Sequence, residues 1–568
     1  MEKHGKHLIP LLYLGLFLVG LSMRLYRLGQ FPLTDYESAW AWQALTIARR
    51  SPVGMGAQTG YVGLTALSFF LLEASRFVAR LWPAILGSLM VLLPILWREK
   101  LGKWAALGLA FFLAIDPVLL VASRQVGSLM IALVGLLLGL SLLFRRKEEL
   151  AGISLGMALL GGESFWLGAL MVGFTLGLTK VLKAQSLLEN PEGSQDSPVK
   201  PDAWQPSWRL PAFFAGTVLI VGSSFGLYPA GLSGLMAGLL DFVKRFYQPS
   251  GVNFWQLLLA LLAYQFLPLF FGLWSGVRAW CKPDQLGRFL GLWFLAGMAL
   301  ILVSTGRQVL DLIWVSVPLW ILAVRHITSL IKFPEQDRLV QVGVSLFTVI
   351  MIIYAGMRLR SLVDPAIIPA NTSQYWITLG VGLILLLLVL ILIALGWHVE
   401  VSRLGFLMGF CLVLLMGMLS CGINIIADDN ALIASQLIRG RPIPLQDLMV
   451  DTLKEIANLH ASEPYAVEVV VVGMPTEDLI WSLRDFDKAS FLNQMPTGRQ
   501  PEFVLTSVVE TPQLSASYRG QELLWYRWPV WNRMTLVEIG RWLINKQVTY
   551  DETRLLLWAR TDIFPGSR

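Results

Sequence analysis

Two carboxylates, Asp35 and Glu37, stand just past the first long apolar run, in the stretch Arg27-Leu-Gly-Gln-Phe-Pro-Leu-Thr-Asp35-Tyr-Glu37-Ser. Only 15% of the residues are charged, so acids placed at a membrane surface invite a chemical reading. Such a carboxylate can take the proton of an incoming hydroxyl or amine and raise its nucleophilicity. A plainer role fits the same residues: Thr34 or Asp35 begins a helix over 36–49, with Glu37 in its first turn. The two roles are compatible, because a helix N-terminus holds a side chain in place. Asp116 and Glu163 fall near the ends of other apolar runs and are the secondary acids, although Glu163 equally suits a solvated turn. Arg80, Arg124 and Arg307 lie at the same ends. A guanidinium grips two phosphate oxygens at once and stays charged beside lipid; the alternative is that each arginine reaches to lipid headgroups or pairs with a nearby acid. Arg307, in a short loop between two long apolar runs, has the least need of an anchoring role and is the first candidate for a phosphate.

What must position these groups is a membrane domain. Of the 568 residues 55% are hydrophobic, the mean hydropathy is +0.62, and the apolar residues come in runs of about 20, the length that crosses a bilayer as a helix. The runs lack the alternation of an outer-membrane barrel, so the spans are expected to be helices. They fall near 8–26, 77–97, 104–122, 126–144, 150–162, 164–182, 211–228, 254–280, 287–305, 308–325, 338–357, 375–396 and 404–424. The first follows Lys3 and Lys6 without a small-residue cleavage site and reads as a retained helix. About thirteen spans, with Lys3 and Lys6 cytoplasmic, put the C-terminus outside the cytoplasm. Most basic clusters between runs then fall on the cytoplasmic side; Arg49/Arg50, Lys244/Arg245 and Arg358/Arg360 lie opposite. This scatter accounts for the net charge of +7 and argues against a nucleic-acid partner.

Residues 27–76 form a long first outer loop, within which 61–73 reads as a helix at the interface, as does 232–247 with its apolar stripe. Residues 184–209, rich in Pro, Ser, Asp and Glu, read as a flexible connector. Residues 1–426 thus make the membrane domain, and beyond 427 the texture becomes that of a water-soluble α/β domain. Helices are expected over 446–461, 476–485 and 534–546, and strands over 467–472, 503–506 and 555–558. No Gly-rich phosphate loop follows 467–472. His4, His7, His326, His398 and His460 do not cluster, and Cys281, Cys411 and Cys421 lack ligand spacing, so no metal site and no cofactor is assigned.

Several of these stretches resemble the polyprenyl-phosphate-dependent membrane glycosyltransferases of the GT-C type, the protein O-mannosyltransferases and lipid A aminoarabinose transferases in particular. They are Arg24-Leu-Tyr-Arg27-Leu with Pro32 and the Asp35/Glu37 pair, Ser75-Arg76-Phe77-Val78-Ala79-Arg80-Leu81-Trp82-Pro83 before the second span, and Asp116-Pro117 through Ser123-Arg124 in the third. The resemblance covers 8–145 and is carried further on by Gly306-Arg307-Gln308 and Asp311-Leu-Ile-Trp314. It implies a polyprenyl-phosphate-linked sugar donor, a lipid, glycan or protein acceptor, transfer on the outer face of a bacterial plasma membrane, and Asp35 as the base. The sequence departs from the pattern where Gly127-Ser128-Leu129 replaces an expected second Asp. That departure keeps open a catalytically silent relative acting in assembly or binding. A transporter or flippase is the other alternative, opposed by the lack of an internal repeat and of mid-membrane acids.

Overall fold

The computed structural model describes residues 2–564 except 52–53, 190–206, 283, 331–336, 364–371, 428–436, 438–442, 461–462, 497, 510–511 and 546–548. Most of the connector expected at 184–209 lies outside the described residues, while 184–189 continues a helix. The chain begins with α1 (Glu2–Leu25), α2 (Asp35–Ala48), α3 (Thr59–Leu71) and α4 (Arg76–Leu89). After a short 3-10 turn, α5 (Pro94–Leu101) extends the α4 span, and α6 (Lys103–Ile115) and α7 (Pro117–Ser123) form the next. Then come α8 (Leu129–Phe144), α9 (Glu148–Leu159), α10 (Glu163–Glu189), α11 (Arg209–Gly222), α12 (Gly234–Lys244), α13 (Phe254–Tyr264) and α14 (Phe266–Cys281). The membrane domain closes with α15 (Gln285–Val303), α16 (Ile313–Leu330), α17 (Arg338–Val363), α18 (Thr372–Gly396) and α19 (Val399–Ala427).

Among the described residues eight helices are long and apolar enough to cross a membrane, or ten if two bent pairs each count as one span. The chain is thus a multi-pass helical membrane protein, but the count of thirteen is not reached. The difference lies in α8, α9 and α11, which are 16, 12 and 14 residues long, against the roughly 20 that a full crossing needs. The expected surface helix at 61–73 is also corrected: α3 is buried along most of its length, with Tyr61, Val62, Ala66 and Phe69 packed in a core shared with α2 and α4.

The two bent spans meet inside the bundle. The α6–α7 pair bends by 56° and α13–α14 by 94°. At the first break Asp116 accepts the Leu119 amide at 2.7 Å, which caps α7. Its other oxygen accepts Gln265 Nε2, at the second break, at 2.6 Å and Trp320 Nε1 at 2.7 Å. Broken backbone in a membrane survives where side chains or neighbouring helices satisfy the freed groups. Asp116 therefore ties the two breaks to each other and to α16.

Past the membrane domain lie β1 (Ile443–Pro444), α20 (Asp447–His460), β2 (Glu468–Val472), α21 (Glu477–Ser482), β3 (Lys488–Leu492), β4 (Phe503–Ser507), β5 (Tyr518–Pro529), α22 (Leu536–Asn545) and β6 (Tyr550–Arg560). They form one six-stranded sheet in the order β1-β5-β6-β4-β2-β3, with β2 parallel to β3 and β4 and the other pairs antiparallel. The strands expected at 467–472, 503–506 and 555–558 are β2, β4 and part of β6. Strand β5 escapes a hydropathy reading because its first half, Tyr518 to Glu522, is polar and largely exposed. Two tryptophans of this domain are buried against the membrane domain. Trp481 of α21 sits in the α2–α4 core, stacked on Phe69 with centroids 6.0 Å apart, and Trp542 of α22 lies against Tyr264. Arg76, at the start of α4, makes a two-pronged ion pair with Asp447.

Candidate functional site

A polar cavity of about 290 Å³ opens among the start of α2, the turn 125–128, the start of α10, the end of α12 and the loop before α16. Its walls hold Tyr36, Gln58, Ser128, Glu163, Asp241, Lys244, Arg245 and Asp311.

One wall is set by a local signal. Thr34 caps α2 in a full capping box: Glu37 N–H donates to Thr34 Oγ1 at 3.3 Å, and Thr34 N–H donates to Glu37 Oε2 at 3.0 Å. The carboxylate of Glu37 is spent beyond that. Its Oε1 accepts the Val126 amide at 3.0 Å, and both oxygens accept Arg80, from Nε at 3.0 Å and Nη2 at 2.9 Å. Each side chain of this pair is 2% exposed. The remaining donors of Arg80 go to the carbonyls of Leu28, Phe31 and Pro32 at 3.2, 2.8 and 2.9 Å, so all five of its N–H groups are committed. None remains for a phosphate. Arg124 is turned the same way: its Nη1 donates to the carbonyls of Met23, Arg24 and Tyr26 at 3.0, 3.0 and 2.8 Å. Met23 and Arg24 lie in the last turn of α1, whose carbonyls lack partners within the helix, and Tyr26 lies just past it. Arg80 and Arg124, expected from sequence at a phosphate, thus hold the first loop against the helix ends.

Asp35 is exposed and does not line the cavity. Its Oδ1 accepts the amide of Glu477 at 2.9 Å, at the start of α21 in the C-terminal domain. Burial raises the pKa values of Glu477 and Asp478 above the ordinary carboxylate range, and the charge of Asp35 pushes both in the same direction. Asp116, buried at the broken spans, is also absent from the cavity wall. Of the acids expected from sequence, Glu37 and Glu163 reach the cavity.

The opposite wall is an ionic cluster. Arg245 is 3% exposed and donates to Glu163 Oε1 at 2.6 Å and to Asp311. Asp311 also accepts the Gln308 amide at 2.6 Å. Burial works against the charge of Arg245, but Asp311 and Glu163 outweigh it and hold its pKa above the ordinary value. The backbone around it is close-packed: Gly306 N–H donates to the Arg245 carbonyl at 2.7 Å, and a Cβ on Gly306 would stand 3.0 Å from Arg245 Cα. Lys244, the preceding residue, is 44% exposed and pairs with Asp241 at 3.0 Å. Its hydrogen bond with Asp241 raises its pKa. Arg307 flanks the cavity rather than lining it, anchored by Nε to the Ser304 carbonyl at 2.8 Å.

Between the walls, Gln58 accepts the Ser128 amide at 2.8 Å and donates to the Tyr36 hydroxyl. Gly127 turns there with φ +141°, and a Cβ would press to 3.1 Å from Gln58 Oε1. Among the described residues no group of three His, Cys, Asp or Glu is arranged to hold a metal ion. Sequence reasoning gave Lys244, Arg245 and Asp311 no role in the site, although Asp311 stands in a stretch that carried the resemblance. The available signal was the Lys244/Arg245 pair itself, an exception to the charge alternation along the chain.

No protein-family model and no curated protein matches the chain. Solved structures do. They show the fold the chain shares, that of a polytopic helical membrane protein. The crystal structure of ArnT from Cupriavidus metallidurans bound to undecaprenyl phosphate resembles the chain with a TM-score of 0.54 and 16% identity, over 100% of this chain and 99% of that one. The apo form of the same protein gives 0.49 and 16%, over 99% of each chain.

Proposed function

We propose that the chain transfers a sugar from a polyprenyl-phosphate donor to an acceptor bound in the 290 Å³ cavity, on the outer face of the membrane. The carrying observation is that Lys244 and Glu163 both line that cavity, a cation for the leaving phosphate and a carboxylate for the incoming nucleophile. The fold supports the same reading, since ArnT, which shares it, holds undecaprenyl phosphate.

In this mechanism Glu163 is the base. Arg245 fixes one of its oxygens, and Oε2 has no hydrogen bond among the described residues. The acceptor hydroxyl or amine loses its proton to Glu163 as its lone pair forms the new bond to the sugar anomeric carbon. The bond from that carbon to the phosphate oxygen breaks, and its electron pair leaves with the lipid phosphate. Lys244, with Arg307 at the rim, stabilises the charge that develops there. Arg245 and Asp311 keep Glu163 in place.

The test is transfer from a synthetic polyprenyl-phosphate sugar by the full-length protein in liposomes, with undecaprenyl phosphate binding measured in parallel. Lys244→Ala is expected to weaken binding and to lower turnover on the order of 10²-fold, as loss of one donor to a developing anion does. Undiminished binding and turnover in this variant would reject the site. Binding by the wild type with no turnover on any sugar donor would favour the silent-relative reading, to which the Gly127-Ser128 turn is the structural pointer.

Asp35 offers a direct contrast. Asp35→Asn retains an oxygen acceptor for the Glu477 amide, so turnover and protein abundance are both expected to stay near wild type. A loss on the order of 10²–10⁴ at normal abundance would return the role of base to Asp35 and require its contact with the C-terminal domain to open during the cycle.

A further inference from the structure

A second cavity, of about 1240 Å³, lies at the end of the bundle away from the C-terminal domain, among the first half of α1, the start of α6, the end of α16 and the middle of α19. It exceeds the roughly 300–1,000 Å³ of common small-molecule sites. Its walls are mostly aliphatic and aromatic, and Leu11, Trp104 and Leu412 on its margin are exposed, so it opens sideways to the bilayer. Arg325 and Ser329 at its end also line a smaller cavity of about 230 Å³, whose other walls include Arg278, Lys282 and Asp284.

Among the described residues the charges there do not balance. Asp284 pairs with Arg325 at 2.9 Å. Arg278 and Lys282 are exposed and have no ion-pair partner among the described residues. An apolar chamber thus joins, through Arg325 and Ser329, a pocket with two cations that no acid among the described residues pairs. That combination matches an anionic amphiphile whose chains leave the bilayer sideways and whose phosphate stays at the headgroup level.

We propose that this pair of cavities is a seat for an anionic glycerophospholipid, with its phosphate on Arg278, Lys282 and Arg325 and its acyl chains in the chamber. The seat lies at the other end of the bundle from the sugar-transfer cavity, and the inference does not depend on that reading. The lipid would fill the chamber that α1, α6, α16 and α19 line beside their mutual contacts.

The experiment is native mass spectrometry of the detergent-purified full-length protein titrated separately with phosphatidylglycerol, phosphatidylcholine and undecaprenyl phosphate. Phosphatidylglycerol is expected to bind best of the three in an Arg278- and Lys282-dependent way. The double variant Arg278→Gln/Lys282→Gln changes only exposed side chains and should weaken its binding roughly 30-fold, the combined effect of two near-surface cations, with phosphatidylcholine unaffected. Gly15→Leu provides the chain-side control. Gly15 lines the chamber and a Cβ there meets nothing within 4 Å, so the larger residue fits in the helix and occupies the lipid's space. It should reduce phosphatidylglycerol binding while the thermal midpoint of the lipid-free protein is unchanged. Equal binding of phosphatidylglycerol and phosphatidylcholine, or a preference that survives the double variant, would overturn the proposal. Stronger binding of undecaprenyl phosphate with the same dependence on Arg278 and Lys282 would overturn the choice of a glycerophospholipid.

Discussion

Glu163→Gln is expected to lower sugar transfer on the order of 10²–10⁴-fold while leaving donor binding and protein abundance close to wild type. The amide keeps the size of the side chain and can still accept from Arg245, whose Nη1 lies 2.6 Å from Oε1. What it loses is the ability to take a proton. Arg245 also retains Asp311 as a counter-ion, so the buried guanidinium is not stranded without a negative partner. Turnover and undecaprenyl phosphate binding measured together in liposomes separate the outcomes. Normal turnover by the variant would remove Glu163 as the base, and parallel loss of binding and abundance would assign it to structure instead.

Arg80→Ala is expected to destabilise the membrane domain by about 3–5 kcal/mol, the cost of stranding one partner of a buried ion pair. The removed guanidinium is the counter-ion of Glu37, both side chains being 2% exposed, and it also leaves the carbonyls of Leu28, Phe31 and Pro32 without their donor. A drop in the thermal midpoint and in membrane abundance is the readout. Arg80→Lys should recover little, because an ammonium cannot reproduce five donors in one plane. Had Arg80 served a phosphate, the alanine variant would keep its thermal midpoint and lose donor affinity, and that result would refute the clasp.

The same clasp gives a structural role to the arginines of the stretch 8–145, where the family resemblance lies. Arg80 holds carbonyls that follow α1, Arg124 holds those at and just past its end, and Arg24 donates to the carbonyls of Leu113 and Ala114 at 3.1 Å each, where α6 ends. These motif residues build the framework around the first loop. Their type and spacing suggested anion binding because a guanidinium that holds carbonyls and one that holds phosphate look identical in a sequence.

What the amino-acid sequence determined by itself is whatever depends on near neighbours and on solvent. Long apolar runs must become helices, since backbone groups in lipid have no other partners. The Thr34–Glu37 box begins α2 because its bonds close over three residues. The β-branched run of β2 marks a buried strand, and the apolar stripe at 232–247 contains α12. Tertiary structure decided the length and bending of the spans, the burial of α3, and which charged groups face the cavity. Asp35 and Glu37 are two residues apart, yet one caps a helix 442 residues further on and the other is locked to Arg80 across 43. Glu163, Arg245 and Asp311 are separated by 82 and 66 residues and become one cluster only when α10, α12 and the loop before α16 pack together. Helical period fixes where a side chain points around its own axis; the partner it meets is fixed by the helix or loop packed beside it.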